Sequence, residues 1–171
     1  MAEGKVLVVI PTYDERDNLP RVIPLVLESH PAVDILVVDD NSPDGTGLLA
    51  AGFARDNPRV HALHREGKGG LGGAYIAGFN WGLERDYGLF FEMDADLSHN
   101  PRYLPALRDG LVTDADVTIG SRYVDGVRVE NWPFRRLLLS RIANAQIAAS
   151  TPPAAPSMCP VMDLVELTAT L

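Results

Sequence analysis

Asp94-Ala95-Asp96 closes an apolar run, Gly88–Met93, that reads as a buried strand. Residues i and i+2 on extended chain point the same way, so both carboxylates can face one bound cation. Two hard oxygen donors suit Mg²⁺ or Mn²⁺, whose remaining coordination positions go to water and phosphate oxygens. A diphosphate leaving group needs that neutralisation, because negative charge builds on it as its bond to sugar breaks. The same tripeptide also suits two solvated acids in a turn. A second acidic group, Asp39-Asp40-Asn41-Ser42, follows the strand-like run Val33–Val38 and can accept hydrogen bonds from a nucleobase N–H or a ribose hydroxyl. An Asx-type turn before the next helix explains Asn41, Ser42 and Asp44, but explains the adjacent pair Asp39-Asp40 less well. A third segment, Pro11-Thr12-Tyr13-Asp14-Glu15, ends the run Val6–Ile10. Tyr13 can flank a base and Glu15 can bond a ribose or base edge; alone, the segment also suits a plain strand-to-helix connection. Acids at two strand ends favour one shared cleft, since ligands of parallel sheets gather at the carboxyl ends of the strands.

Gly67-Lys68-Gly69-Gly70-Leu71-Gly72 satisfies the G-x-G-x-x-G pattern between a strand and a helix, with Glu92 and Asp94 about 20 residues on. This admits a rival, an NAD- or NADP-binding oxidoreductase. Against it, the match falls in the third strand–helix unit and leaves both acidic groups unexplained; Lys68 and the loop amides can instead line a sugar or phosphate site. From Ser121 to Arg141 there are five arginines (122, 128, 135, 136, 141) against Asp125 and Glu130, a local balance of +3. Guanidinium groups grip phosphate oxygens bidentately, and beside the apolar Phe134, Leu137, Leu138 and Ile142 they suit a ligand with an anionic head and a greasy tail. A solvated helix face with ordinary salt bridges is the other reading. His61, His64 and His99 have no ligand-like spacing and read as structural or surface residues.

The elements that must position these residues alternate. Strands are expected at Val6–Ile10, Val33–Val38, Arg59–His64, Gly88–Met93 and Asp116–Gly120. Helices are expected from Asp17 or Asn18 to about His30, from a Thr46 cap to about Asp56, from Ala74 to about Arg85, from Pro101, and from Pro133 to about Ala149. Pro24 would kink the first helix or delay its start. The alternation predicts an α/β layer with a mostly parallel sheet. The 171 residues suit one domain over 1–150, and Thr151–Leu171, proline-rich at its start, reads as an irregular tail. A net charge of −8 argues against a nucleic-acid binder. The single Cys159 cannot close an internal disulfide, which suits a reducing, cytoplasmic compartment. No apolar run approaches the ~20 residues that cross a bilayer, so membrane contact is expected to be peripheral or to use other chain.

In order along the chain, Pro11–Leu19, Val37–Thr46, Met93–His99, Gly120-Ser121-Arg122-Tyr123 and Val129-Glu130-Asn131-Trp132-Pro133-Phe134 resemble the dolichyl- or polyprenyl-phosphate mannosyltransferase branch of the inverting family 2 glycosyltransferases. The resemblance runs from about Lys5 to Ala149 and implies a glycosyltransferase-A-like, Rossmann-type sandwich. It implies that Pro11, Tyr13, Glu15 and Asp40, with Asp39, hold a guanosine nucleotide, and that Asp94 and Asp96 hold Mg²⁺ or Mn²⁺ and the diphosphate. Ser98 stands where relatives often carry Gln. Arg122, Arg136 and Ser140 would grip the acceptor phosphate, Arg122 counting with Asp94 and Asp96 as catalytic. The implied reaction moves mannose from GDP-mannose to a polyprenyl monophosphate with inversion, at the cytoplasmic membrane surface or beside a membrane-anchored partner. Relatives continue past residue 149 into a strand and a D-x-x-[ST]-G-[FY] segment, which Thr151–Leu171 does not match. The expectation is a C-terminally incomplete domain with a partial donor cleft and impaired transfer; a nucleotide-binding remnant, or a transferase for another nucleotide sugar such as UDP-glucose, remain alternatives.

Overall fold

Five consecutive apolar residues, Val6–Ile10, are fully buried, which requires cover on both faces of the strand they form. That strand, β1 (Lys5–Thr12), is central to a four-stranded parallel sheet with β2 (Val33–Asp39), β3 (Val60–His64) and β4 (Tyr87–Glu92) in the order β3-β2-β1-β4. The computed structural model describes residues 4–113, 117–118 and 168–169. The expectations for Arg122, Arg136, Ser140, the helix over 133–149 and most of the tail lie outside these residues.

Side-chain alternation along β1 and β2 builds two cores. Val6, Val8, Ile10, Ile35 and Val37 pack under α1 (Leu19–Ser29), α2 (Thr46–Asp56) and α4 (Leu104–Thr113). Leu7, Val9, Leu36 and Val38 pack under α3 (Leu71–Leu83). Fully burying one such side chain is worth roughly 1.5–3 kcal/mol, so the two faces together hold the layer. In α1 the buried residues Leu19, Val22, Ile23 and Val26 follow helical spacing, and the helix runs on through Pro24 rather than starting after it. Asn18 occupies the position before α1, but its amide donates to Glu15 Oε2 (2.6 Å) instead of capping. Gly45, with φ 89°, takes the cap position of α2 that Thr46 was expected to fill.

α3 begins at Leu71, three residues before the expected Ala74. Its glycines are packing devices: a Cβ on Gly78 would lie 2.5 Å from Val9 Cγ1, and one on Gly82 would lie 2.8 Å from Leu7 Cδ2. β5 (Val117–Thr118), expected as a further strand, pairs antiparallel with β6 (Thr168–Ala169) in a separate two-stranded ladder. β6 thus gives regular structure to two residues of the stretch expected to be irregular. Among the described residues no helix is long and apolar enough to cross a membrane.

Because β2 and β3 lie on one side of β1 and β4 on the other, the chain reverses direction across the sheet between β1 and β4. Ligands of open α/β sheets bind outside the carboxyl ends of the strands at such a switch point. The expected site segments follow β1, β2 and β4, so all three emerge at that edge.

Candidate active site

The loop after β1 turns through Asp14 in the left-handed region (φ 61°) and is fastened to the loop after β2. Asp14 N donates to Ser42 Oγ (3.2 Å), Glu15 N to Thr46 Oγ1 (3.0 Å) and Arg16 N to Asp44 Oδ2 (3.1 Å). Asp39, at the end of β2, is buried and engaged within that loop. It accepts from Thr12 Oγ1 (3.2 Å) and Ser42 N (3.2 Å), with the Ser42 hydroxyl at 2.5 Å. Gly47 makes room for it, since a Cβ there would lie 2.6 Å from Asp39 Oδ2.

Asp40 carries the second wall. Its Oδ1 accepts from Arg65 Nη1 at 2.7 Å and its Oδ2 from Gly69 N at 2.9 Å, so one buried carboxylate clamps the glycine loop. A Cβ on Gly69 would collide with the Arg65 guanidinium, and one on Gly73 would lie 3.1 Å from Arg65 Nη2. At these two positions the glycines are explained by an arginine packed against the loop. Lys68 Nζ sits 3.7 Å above the Tyr13 ring, a cation–π contact joining the glycine loop to the loop after β1.

The third wall follows β4. Leu97 is left-handed (φ 63°), a conformation a branched side chain seldom adopts, and it turns the chain so that Ser98 N donates to Asp96 Oδ1 (2.9 Å). Burial would raise the Asp96 carboxyl, but the Ser98 N–H and hydroxyl, with His99 nearby, outweigh it and hold the group below its usual value. Asp94 N donates to His99 Nδ1 (3.2 Å), and Tyr75 OH reaches Asp94 Oδ1 at 3.5 Å. Burial, then the Asp94 and Glu92 charges, push the Tyr75 phenol upward and keep it protonated. Burial and then Asp94 also raise the Glu92 carboxyl.

One cleft of about 330 Å³ unites these walls: Pro11, Tyr13 and Glu15 from the first, Asp40 and Lys68 from the second, Asp94 and Asp96 from the third. Asp39 is not on its wall. Arg65 and Tyr75 were not singled out in the sequence, and His99 was read as a structural or surface residue. Arg65 and Tyr75 reach their partners only through the fold, whereas His99, five residues after Asp94 in a turn, left a local signal. A hard divalent cation is commonly held by one or two carboxylates plus phosphate and water oxygens. Asp94 and Asp96 on one wall fit that donor set. Among the described residues no third acidic, His or Cys ligand joins them.

The Glycosyl transferase family 2 model matches residues 7–168. The chain is 57% identical over 141 residues to the polyprenol monophosphomannose synthase of Mycolicibacterium smegmatis, covering 82% of this chain and 53% of that protein. It is 53% identical over 136 residues to the undecaprenyl-phosphate mannosyltransferase of Micrococcus luteus, covering 80% and 56%. The chain therefore spans about half the length of these curated relatives. Among solved structures, a mannosyltransferase from Pyrobaculum calidifontis in complex with GDP-Man and Mn²⁺ matches at TM-score 0.55 and 22% identity, over 70% of this chain and 35% of that one. A glucosyl-3-phosphoglycerate synthase from Mycobacterium tuberculosis, in complex with Mn²⁺, UDP and phosphoglyceric acid, matches at 0.59 and 18%, over 98% and 56%. These two likenesses establish a shared fold, a parallel-sheet sandwich of the glycosyltransferase-A kind. Of the glycine pattern that admitted an oxidoreductase, Gly69 is accounted for by Arg65, and the chain belongs to glycosyl transferase family 2.

Proposed function

We propose that this chain forms the donor-nucleotide region of a glycosyltransferase that moves mannose from GDP-mannose to a polyprenyl monophosphate with inversion. The observation that carries the reading is the meeting of Asp40, Asp94 and Asp96, from the ends of two different strands, in one cleft. Pro11, Tyr13, Glu15 and Asp40 hold the nucleotide, with Asp39 supporting Asp40 through the loop both share. Asp94 and Asp96 would hold Mg²⁺ or Mn²⁺, which when bound neutralises charge on the departing diphosphate. The names of the relatives support the sugar and the lipid acceptor.

A phosphate-monoester oxygen of the acceptor attacks the anomeric carbon on the face opposite the departing diphosphate. The new C–O bond forms as the old one breaks, GDP leaves with the bonding pair, and the anomeric configuration inverts. Such an acceptor is already an anionic nucleophile, so alignment and leaving-group stabilisation matter more than a general base. Arg122, Arg136 and Ser140, outside the described residues, grip the acceptor phosphate. The reaction takes place at the cytoplasmic membrane surface, by peripheral contact or beside a membrane-anchored partner.

Calorimetric titration with GDP, UDP and NADH, with and without Mn²⁺, tests this. GDP should bind only with metal, and Asp96→Ala should abolish it. Metal-independent binding, or preference for UDP or NADH, would overturn the reading. Incubation with labelled GDP-mannose, metal and polyprenyl phosphate tests transfer itself, the expected product being a lipid-linked mannose.

A further inference from the structure

Asp94 is approached on both of its carboxylate oxygens. Tyr75 OH, on the second turn of α3, reaches Oδ1 at 3.5 Å, and His99 Nε2 lies 3.7 Å from Oδ2. The His99 ring also turns Nδ1 to the Asp94 backbone N–H at 3.2 Å. An Nδ1 that accepts leaves the proton on Nε2, the nitrogen facing the carboxylate. Both partners are held from behind: the His99 side chain is 11% exposed, and the Tyr75 ring is stacked beside Phe79 at 6.1 Å. Catalytic-site contacts of this length tighten when a ligand binds.

We propose that Tyr75 and His99 are positioning residues that aim the Asp94 carboxylate into the cleft, toward the divalent cation. Tyr75 OH donates to Oδ1 and the His99 Nε2–H faces Oδ2 from beyond hydrogen-bond distance, both from outside the cleft, leaving each oxygen's other lone pair for the cation. The inference rests on the reading above that Asp94 holds a cation. Hydrogen-bond partners that orient carboxylate ligands typically set metal affinity by ~10–100-fold. A role confined to packing the loop would not.

The test titrates Mn²⁺ into the full chain with saturating GDP, reading free Mn²⁺ by its paramagnetic resonance signal, alongside thermal unfolding without metal. Tyr75→Phe keeps the ring and removes the donor. His99→Asn keeps an acceptor for the Asp94 N–H and removes the group facing Oδ2. Each should weaken Mn²⁺ binding about 10-fold while leaving the metal-free unfolding midpoint unchanged. Unchanged Mn²⁺ affinity in both variants, with the unsubstituted chain binding normally, overturns the positioning role alone. Affinity and midpoint falling together overturns it in favour of packing. If the unsubstituted chain takes up no Mn²⁺ with GDP, the cation reading fails and the inference falls with it.

Discussion

Glu92 and Asp96 titrate in opposite directions within five residues of one strand and its loop. Burial and the neighbouring Asp94 raise Glu92 above its ordinary value of 4.5, so its neutral form is the one the fold favours. Its contribution to stability is fully present below that ordinary value and is lost as pH rises through the raised folded value. Glu92→Gln removes the charge and keeps the shape. It should raise the metal-free unfolding midpoint at neutral pH, with the gain vanishing toward about pH 4. An equal gain at every pH in thermal melts would sink this account. Asp96, held low, should stay ionised and available to a cation to below the usual carboxylate range. At this scale Asp94 and Asp96 were legible because both stand together in the chain. Tyr75 was not, because its link to Asp94 spans 19 residues and two elements.

The helix α3 shows why element boundaries blurred. Gly72 and Gly73 argue against helix by propensity, so the sequence suggested a start at Ala74; the first turn is largely exposed and closes through the backbone, Ala74 N donating to Gly70 O at 3.1 Å. Packing on the sheet separates glycines that look alike. Gly78→Ala gains ~1 kcal/mol of helix propensity, but its Cβ meets the fully buried Val9, and overpacking costs ~1–3 kcal/mol. The net effect should be a lower unfolding midpoint. Gly52→Ala, in α2 with nothing within 4 Å of its Cβ, should raise it. Denaturant titration of the pair checks the contrast, and a stabilised Gly78→Ala would refute it. The expected caps failed for a related reason. Asn18 donates to Glu15 three residues back in its own loop, and Thr46 accepts from Glu15 N across two loops, a link that helix-start signals do not encode.

At the scale of the whole molecule, the sequence located three strand ends but could not give their order. Parallel strands dictate that the ends share an edge; only the order β3-β2-β1-β4 puts the reversal beside Asp94 and Asp96. A net charge of −8 over the chain, with Glu15, Asp40, Asp94 and Asp96 lining the cleft, attracts cations and repels a nucleotide diphosphate. Raising ionic strength from about 10 mM to about 150 mM shortens the screening length from ~30 Å to ~8 Å. Mn²⁺ association should slow in stopped-flow measurements; an unchanged or faster rate at the higher ionic strength would contradict this. The loops after β1 and β2 have a different consequence. The amides of Asp14, Glu15 and Arg16 each donate to a side chain of the neighbouring loop, so deuterium enters them only when two loops part together. Their uptake should share one slow rate, and Thr46→Val, which takes the acceptor from Glu15 alone, should quicken all three.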